Sequence, residues 1–578
     1  MTGPAAPKDP EKARPFFYIL KDKDIFGERQ KDGTGIQFIY ESDGRLINSA
    51  QITGNVTDKE ELTLLETVEG FGRLVHSIGV SVETDRPEET AEFVFQMYGK
   101  KDLYGGGTNL TTSLKCDGME HRIYLSDYRW TEDDHVPGQI KILFAAPERM
   151  GKVSVRLFLN DGYEAPPEEE DLVIDMHSEE YCGMISRSLL QLGNPYRIRK
   201  AIEKSKAGKE VTLAYIGGSI TQGAGAIPIH TECYAYKSFQ LFQNCFSTQN
   251  NVRFIKAGVG GTPSELGMIR FDRDVLREGE RPDIVVIEFA VNDEGDETKG
   301  VCYESLVRKV LKLPWKPAVV LLFSVFANDW NLQERLRPVG DLYDLPMVSI
   351  LNAVTPQFSL KCGEGRILSK NQFFYDIFHP NNTGHTIMAD CLQYLFERCD
   401  AAEPARVGTF VEGMTEEQIL SEKLFGPAVI GADFERIFLL DKKNRYVGAE
   451  IRAGSFTSTD IELQSVEMDG SLTQTPEFPY NWMYDGSRPQ MPGFEMEITC
   501  KSLFLIFKDS GEMDVGKANV FVNDVYCMTA DPHKNNWLHC NAVLLFWETE
   551  SRSHKVRITV TEEDQNKKFT ILGFGYTI

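Results

Sequence analysis

The sequence predicts an α/β protein: one doubly wound parallel sheet with helices on both faces, making three layers, flanked at each end by a jelly-roll-like antiparallel β-sandwich. Between Val211 and about Asp400, short apolar runs alternate with helical stretches, the order that produces a parallel sheet covered on both faces. From Phe16 to about Gly162 the chain instead shows short β-type runs broken by glycine, asparagine and aspartate, the pattern of an antiparallel sandwich. A second β-rich region follows from Ile437 to Leu572.

Composition narrows the partners. A chain of 578 residues holds several domains, placed at 1–165, 172–402 and 405–578. Apolar residues at 42% and charged residues at 26% are ordinary globular values that allow sizeable cores. A formal net charge of −24 argues against nucleic acid or an anionic membrane as partner, since both require basic surface. The 11 cysteines show no Cys-x-x-Cys spacing and are expected as reduced, buried thiols. No metal-ligand spacing occurs, so neither metal nor cofactor is expected. The opening Met1–Pro10 is polar and proline-rich, without the apolar core of a signal peptide, and no apolar run is long enough to span a membrane. The expectation is a cytoplasmic protein, or a secreted one if a leader was removed, with homo-oligomerisation open.

In the N-terminal region, strands are expected at, for example, Gly35–Tyr40, Ala91–Met97, His121–Leu125, Gln139–Phe144 and Val153–Phe158. Tyr104, Tyr128 and Trp130 are candidates either for a sugar-binding face or for the sandwich core. Ala165-Pro-Pro-Glu-Glu-Glu-Asp171 reads as a solvated linker, and 172–209 as partly helical, with Tyr196–Lys204 leading into the α/β region. There, strands are expected at 211–217, 252–257, 283–289, 318–325 and 347–350, and helices at 232–247, 302–313 and 384–398. After Glu403-Pro404, a helix at Thr415–Leu424 precedes strands at 437–440, 502–507, 517–522, 542–546, 555–560 and 569–572.

The chemistry centres on Val211-Thr-Leu-Ala-Tyr-Ile-Gly-Gly-Ser219. A serine at the carboxyl end of a buried strand, freed by two glycines, lies where open α/β sheets place their ligand sites. A phosphate-binding loop would need a following lysine, which is absent. Three further clusters end successive elements: Ala257-Gly-Val-Gly-Gly-Thr262, Ala290-Val-Asn-Asp293 and Asp376-Ile-Phe-His379-Pro380. A serine hydroxyl needs an imidazole to take its proton, which His379 can do. Asp376 can fix that imidazole's tautomer. The amides of Ser219 and a glycine of the Gly260-Gly261 pair, with the side chain of Asn292, supply donors for an oxyanion.

These four blocks, in this order, resemble the SGNH (GDSL-like) hydrolase family, over about 200 residues. The resemblance implies Ser219 as nucleophile, His379 as base, Asp376 as its orienter, and Ser219, Gly261 and Asn292 as the oxyanion hole. Two positions depart from the family. Gly218 stands where aspartate is usual, and Ala290 where glycine is preferred. Asp293 is expected to be structural and His385 to lie on the last helix. Trp330 is a candidate for stacking on a sugar at the site mouth, with plain packing as the alternative.

The β-rich flanks resemble the architecture of microbial carbohydrate esterases. The implied function is a serine esterase that removes acetyl groups from plant polysaccharides or their oligosaccharides, of acetyl xylan or mannan type. A lipase or thioesterase acting on small acyl esters, and a non-catalytic carbohydrate-binding protein, are the alternatives.

Overall fold

The computed structural model describes residues 12–168, 170–402, 415–488 and 492–578. The Met1–Pro10 opening, Glu169 of the acidic linker and the Glu403-Pro404 boundary lie outside the described residues. The chain forms two compact units. The first is Met1–Asp175 with Gly225–Pro228 and Pro356–Gly384; the second is Met176–Ala224, Ile229–Thr355 and His385–Ile578.

Two antiparallel sheets build most of the first unit. One runs in the order Phe16–Phe26, Met150–Leu159, Val75–Thr84, His121–Tyr124. The other runs Glu28–Arg29, Gly35–Tyr40, Asp134–Phe144, Thr90–Gly99, Asn109–Lys115. Ile19, Val80, Val155 and Leu157 of the first sheet share one buried core with Phe93, Phe95, Ile140 and Ile142 of the second. Burying each such side chain stabilises the fold by about 1.5–3 kcal/mol.

Between the strands, the first unit also holds three short helices not read from the sequence, Arg45–Ile52, Lys59–Leu64 and Val68–Leu74. Caps explain two of them. Asp58 accepts the Glu60 and Glu61 amides, and Thr67 accepts that of Gly70.

The second unit is organised by a six-stranded sheet. Its strands are β1 (Leu189–Gln191), β2 (Val211–Gly217), β3 (Val252–Gly258), β4 (Ile284–Glu288), β5 (Ala318–Phe323) and β6 (Met347–Ser349), in the order β1-β6-β5-β4-β2-β3. All pairings are parallel except β1 with β6. The parallel sheet expected from the sequence therefore carries an antiparallel edge strand, contributed by the stretch read as partly helical.

The helices that matter for the site are α1 (Tyr196–Lys206), α2 (Ser219–Gln222), α3 (Tyr234–Phe246), α4 (Ser264–Phe271), α5 (Val301–Leu311) and α6 (Asn382–Asp400). Every residue of β2 is buried. Ala214 and Ile216 share a core with Leu266 and Phe271 of α4 and Leu306 and Val307 of α5. The intervening Tyr215 bonds Ser238 of α3 at 3.0 Å, as the period of two along a strand requires. In register, Gly217 stands opposite both Gly258 and Glu288. The carboxyl ends of β2, β3 and β4 thus finish level.

An eight-stranded antiparallel sheet forms the C-terminal part of this unit, centred on Phe494–Asp509 and His539–Val560. The runs read as separate strands at 542–546 and 555–560 are corrected to one strand of 22 residues. The polar Thr549–His554 between them looks like a turn, but Arg552, Ser553 and His554 pair with Cys500, Thr499 and Ile498. Leu503, Leu505 and Phe507 face a core with Trp482, Phe494 and Phe574, whereas Phe504 and Ile506 join the core of the α/β sheet. Burial on both faces explains the unbroken apolar run Leu503–Phe507.

Candidate active site

Ser219 is presented by a tight strand-to-helix corner. Gly218 precedes it at φ −86° and ψ −145°, and Ser219 opens α2. A Cβ on Gly217 would fall 2.2 Å from Thr221 Oγ1, and one on Gly218 would fall 2.3 Å from Asn292 Oδ1. Both positions exclude a side chain because other groups already fill the space. Beneath the corner, Glu288 is fully buried at the end of β4, and its Oε2 accepts the Thr221 hydroxyl at 3.1 Å. Burial pushes this carboxyl up to about 7, against the lowering effect of the Ser324 and Thr221 hydroxyls and the Gly218 amide.

The loop after β3 passes beside the serine: a Cβ on Gly260 would lie 3.8 Å from that of Ser219. The Gly260 amide donates to Gln222 Oε1 at 3.0 Å. It is therefore engaged, and the next residue, Gly261, adopts φ +71°.

Both carbonyls of the pair are held by the C-terminal sheet region. Gln464 Nε2 donates to the Gly260 carbonyl at 2.9 Å while its Oε1 accepts the Cys540 amide at 2.9 Å. His539 Nε2 lies 3.1 Å from the Gly261 carbonyl, and its Nδ1 3.5 Å from Asp509 Oδ2. A carbonyl can only accept, so Nε2 carries the proton. Trp537, 43% exposed, packs beside Gly261.

Asn292 follows β4 with its amide bonded to the Phe289 carbonyl at 3.0 Å, and its side chain lies against Gly218. The second unit thus brings Ser219, Gly261 and Asn292 together. Asp293 points the other way and accepts the Ser264 amide at 2.7 Å, holding the first turn of α4. Burial pushes its carboxyl up to about 8, against that hydrogen bond. Trp330 is half-buried and stacks on Phe326 at 5.7 Å. His385 lies on α6, its Nδ1 accepting the Tyr234 amide and its Nε2 bonded to the Ala224 carbonyl, both at 3.1 Å.

Asp376 and His379 lie together in the first unit. His379 Nδ1 is 2.9 Å from Asp376 Oδ2, and Asp376 Oδ1 accepts the amides of Phe378 and His379 at 2.8 and 2.9 Å. One carboxylate therefore folds the loop and orients the imidazole. Burial raises the Asp376 carboxyl, but the charge and hydrogen bond of His379, the Arg45 cation and the Phe378 amide outweigh it and bring it down to about 2. The loop closes through the Tyr375 amide on the His379 carbonyl at 2.8 Å. In the same unit, Asn382 clamps Ile227 through its amide and carbonyl, both at 2.7 Å.

Of the N-terminal aromatics, Tyr128 and Trp130 pack against the core, and Tyr104 is 45% exposed. Each of the 11 cysteines is an unpaired thiol. No helix among the described residues is long and apolar enough to cross a membrane.

Sequence reasoning did not find Gln222, Glu288, Gln464 or His539. Gln222 had the one accessible signal, a position three residues after Ser219. The others act across long stretches of chain.

Residues 215–387 match the family model described as GDSL-like Lipase/Acylhydrolase. The chain carries a GDSL-like lipase/acylhydrolase domain. It is a carboxylic ester hydrolase, with an SGNH-type fold. No curated protein matches the chain.

Among solved structures, it is similar to a two-domain esterase (CEX) active on acetylated mannans, at 23% identity, TM-score 0.54, covering 68% of this chain and 98% of that one. The same esterase co-crystallised with mannopentaose gives 23% identity, TM-score 0.53 and the same coverage. Axe2, an acetylxylan esterase from Geobacillus stearothermophilus, is 19% identical with a TM-score of 0.26, over 34% of this chain and 97% of that one.

Proposed function

We propose that the protein is a serine esterase that removes O-acetyl groups from oligosaccharides derived from acetylated plant mannan or xylan. The observation that carries the mechanism is the pairing of His379 Nδ1 with the buried, ionised Asp376 at 2.9 Å. It holds the imidazole in the tautomer whose Nε2 accepts a proton.

Ser219 Oγ attacks the acetyl carbonyl as His379 takes its proton, and the tetrahedral oxyanion is held by the amides of Ser219 and Gly261 and by the Asn292 side chain. His379 then protonates the leaving sugar hydroxyl, and water repeats the cycle on the acetyl-enzyme. Asp376 stays ionised throughout and stabilises the imidazolium.

The likeness to an esterase active on acetylated mannans supports the carbohydrate substrate, as does the sheet-rich C-terminal region beside the Gly260-Gly261 loop. The reading includes a three-layer, doubly wound hydrolase domain over 172–402 with jelly-roll-like accessory domains over 1–165 and 405–578. It also takes the protein to act in the cytoplasm, on sugars already released from the polymer.

The test is acetate release from acetylated mannan and xylan oligosaccharides by wild type, Ser219→Ala and His379→Ala, with folding followed by circular dichroism. Release by wild type and its loss in both folded variants is the expected result. Continued release by Ser219→Ala overturns the mechanism. Hydrolysis of nitrophenyl decanoate in preference to the acetylated sugars replaces the substrate with a lipid-type acyl ester.

A further inference from the structure

Lys23 is an unusual residue for the inside of a β-domain. It lies on the strand Phe16–Phe26, 3% exposed, on the same side as the buried Phe17, Ile19 and Ile25. The ladder with Met150–Leu159 is irregular between Tyr18 and Leu20 and again between Leu20 and Lys23, and Asp22 adopts φ +52°. Such bulges re-aim side chains.

The ammonium donates to the Asn371 carbonyl at 3.1 Å and to the Phe374 carbonyl, on the loop that leads into Asp376. Three more groups from the N-terminal part of the chain grip this loop. Thr53 bonds Asn371 Oδ1 at 3.3 Å, Asp171 accepts from Asn371 Nδ2 at 3.0 Å, and the Leu172 carbonyl accepts from Gln372 at 2.6 Å. The Arg45 guanidinium lies 5.8 Å over the Phe378 ring.

Burying an ammonium costs several kcal/mol unless charge and hydrogen bonds offset it. A methionine would fill this space without that cost, so packing alone does not account for a lysine here. What the ammonium adds is a pair of charge-assisted bonds to the loop and a positive charge near Asp376.

We propose that Lys23 is a positioning residue for the Asp376–His379 pair, making the N-terminal sheets part of the catalytic apparatus. This rests on the reading of His379 as base. Lys23 fixes the loop at Asn371 and Phe374, and its cation places a positive charge close to the ionised Asp376 that orients the imidazole. The charged groups around it are Asp22, Asp24, Asp171 and Asp376, with Glu41 and Arg45 close to the same cluster. Burial brings the Lys23 ammonium down to about 8, against the raising effect of Asp376 and the other carboxylates. Lys23 is thus charged at neutral pH and loses its proton on mild alkalinisation.

The experiment compares the full-length wild type with Lys23→Met, Lys23→Arg, Glu41→Gln and His379→Ala, measuring kcat, KM and their pH dependence with nitrophenyl acetate, and folding by thermal melts. Lys23→Met is expected to lower kcat about 10- to 100-fold, the scale of a small misplacement of a catalytic group, with KM within about twofold. The wild type is expected to lose kcat as pH rises through about 8, a limb absent in Lys23→Met and retained in Glu41→Gln, since burial pushes the neighbouring Glu41 carboxyl up to about 8 as well. Lys23→Arg keeps its charge and should restore part of kcat and hold it to higher pH.

Wild-type kcat in Lys23→Met, or a loss matched by its unfolded fraction with an unchanged pH profile, overturns the inference while an inactive His379→Ala leaves the base assignment standing. An active His379→Ala overturns both.

Discussion

A Cβ on Gly218 would stand 2.3 Å from Oδ1 of Asn292 and 2.5 Å from its Cγ. The amide side chain occupies the volume that a Cβ at 218 would need, so glycine immediately before Ser219 lets Asn292 keep this position. The backbone at Gly218, with φ −86°, imposes no left-handed strain, and the penalty of a substitution is therefore steric. Gly218→Ala is expected to cost about 1–3 kcal/mol of stability, as overpacking does, and to lower kcat about 100-fold through displacement of Asn292. Adding Asn292→Ala removes the clashing atoms. The double variant should regain stability relative to Gly218→Ala without regaining turnover, a coupling that a double-mutant cycle by calorimetry and kinetics measures directly.

Glu288 gives a pH signature. Its carboxyl is raised by burial from 4.5 to about 7. A raised carboxyl means that the folded state binds the proton more tightly than the unfolded state between those values, so this group's contribution to stability falls as pH rises through that window. The shift corresponds to ~3 kcal/mol. Glu288→Gln keeps the shape without the ionisation. Its stability relative to wild type should be near zero at pH 4.5 and grow in the variant's favour towards neutrality, read from thermal melts across pH. A constant difference at every pH would remove Glu288 from the titration.

What the sequence made legible follows from the range of the forces involved. β2 spans the predicted residues because a fully buried parallel strand needs a continuous apolar run and glycines end it sharply. The level strand ends at Gly217, Gly258 and Glu288 gather the serine, glycine and asparagine blocks, as expected for an open α/β sheet. The Asp376–His379 contact was readable because it spans three residues. The helix Lys59–Leu64 went unread although Asp58 signals its start, since one short turn of helix leaves little periodicity. Lys23, Gln464 and His539 were invisible for another reason: their partners lie hundreds of residues away, and nothing local distinguishes a lysine that crosses to Phe374 from one that meets solvent.

The donor geometry at Gly261 yields the last prediction. Gln464 holds the Gly260 carbonyl at 2.9 Å, which shares one peptide plane with the Gly261 amide, and His539 holds the next peptide at the Gly261 carbonyl at 3.1 Å. The two bonds restrict rotation on both sides of Gly261 and so keep its amide in place for the proposed oxyanion hole. His539→Ala releases the carbonyl and should lower kcat about 10-fold, a fraction of the ~10²–10³ lost when an oxyanion donor is removed outright. His539→Gln retains a donor and should recover part of that loss. Gly261→Ala is expected to be far worse, because φ +71° disfavours a side chain and its Cβ would meet Trp537 at 2.8 Å and His539 at 2.9 Å. Steady-state kinetics on nitrophenyl acetate orders the three. An unchanged kcat in His539→Ala would mean that Gln464, through the Gly260 carbonyl, is enough to hold the loop.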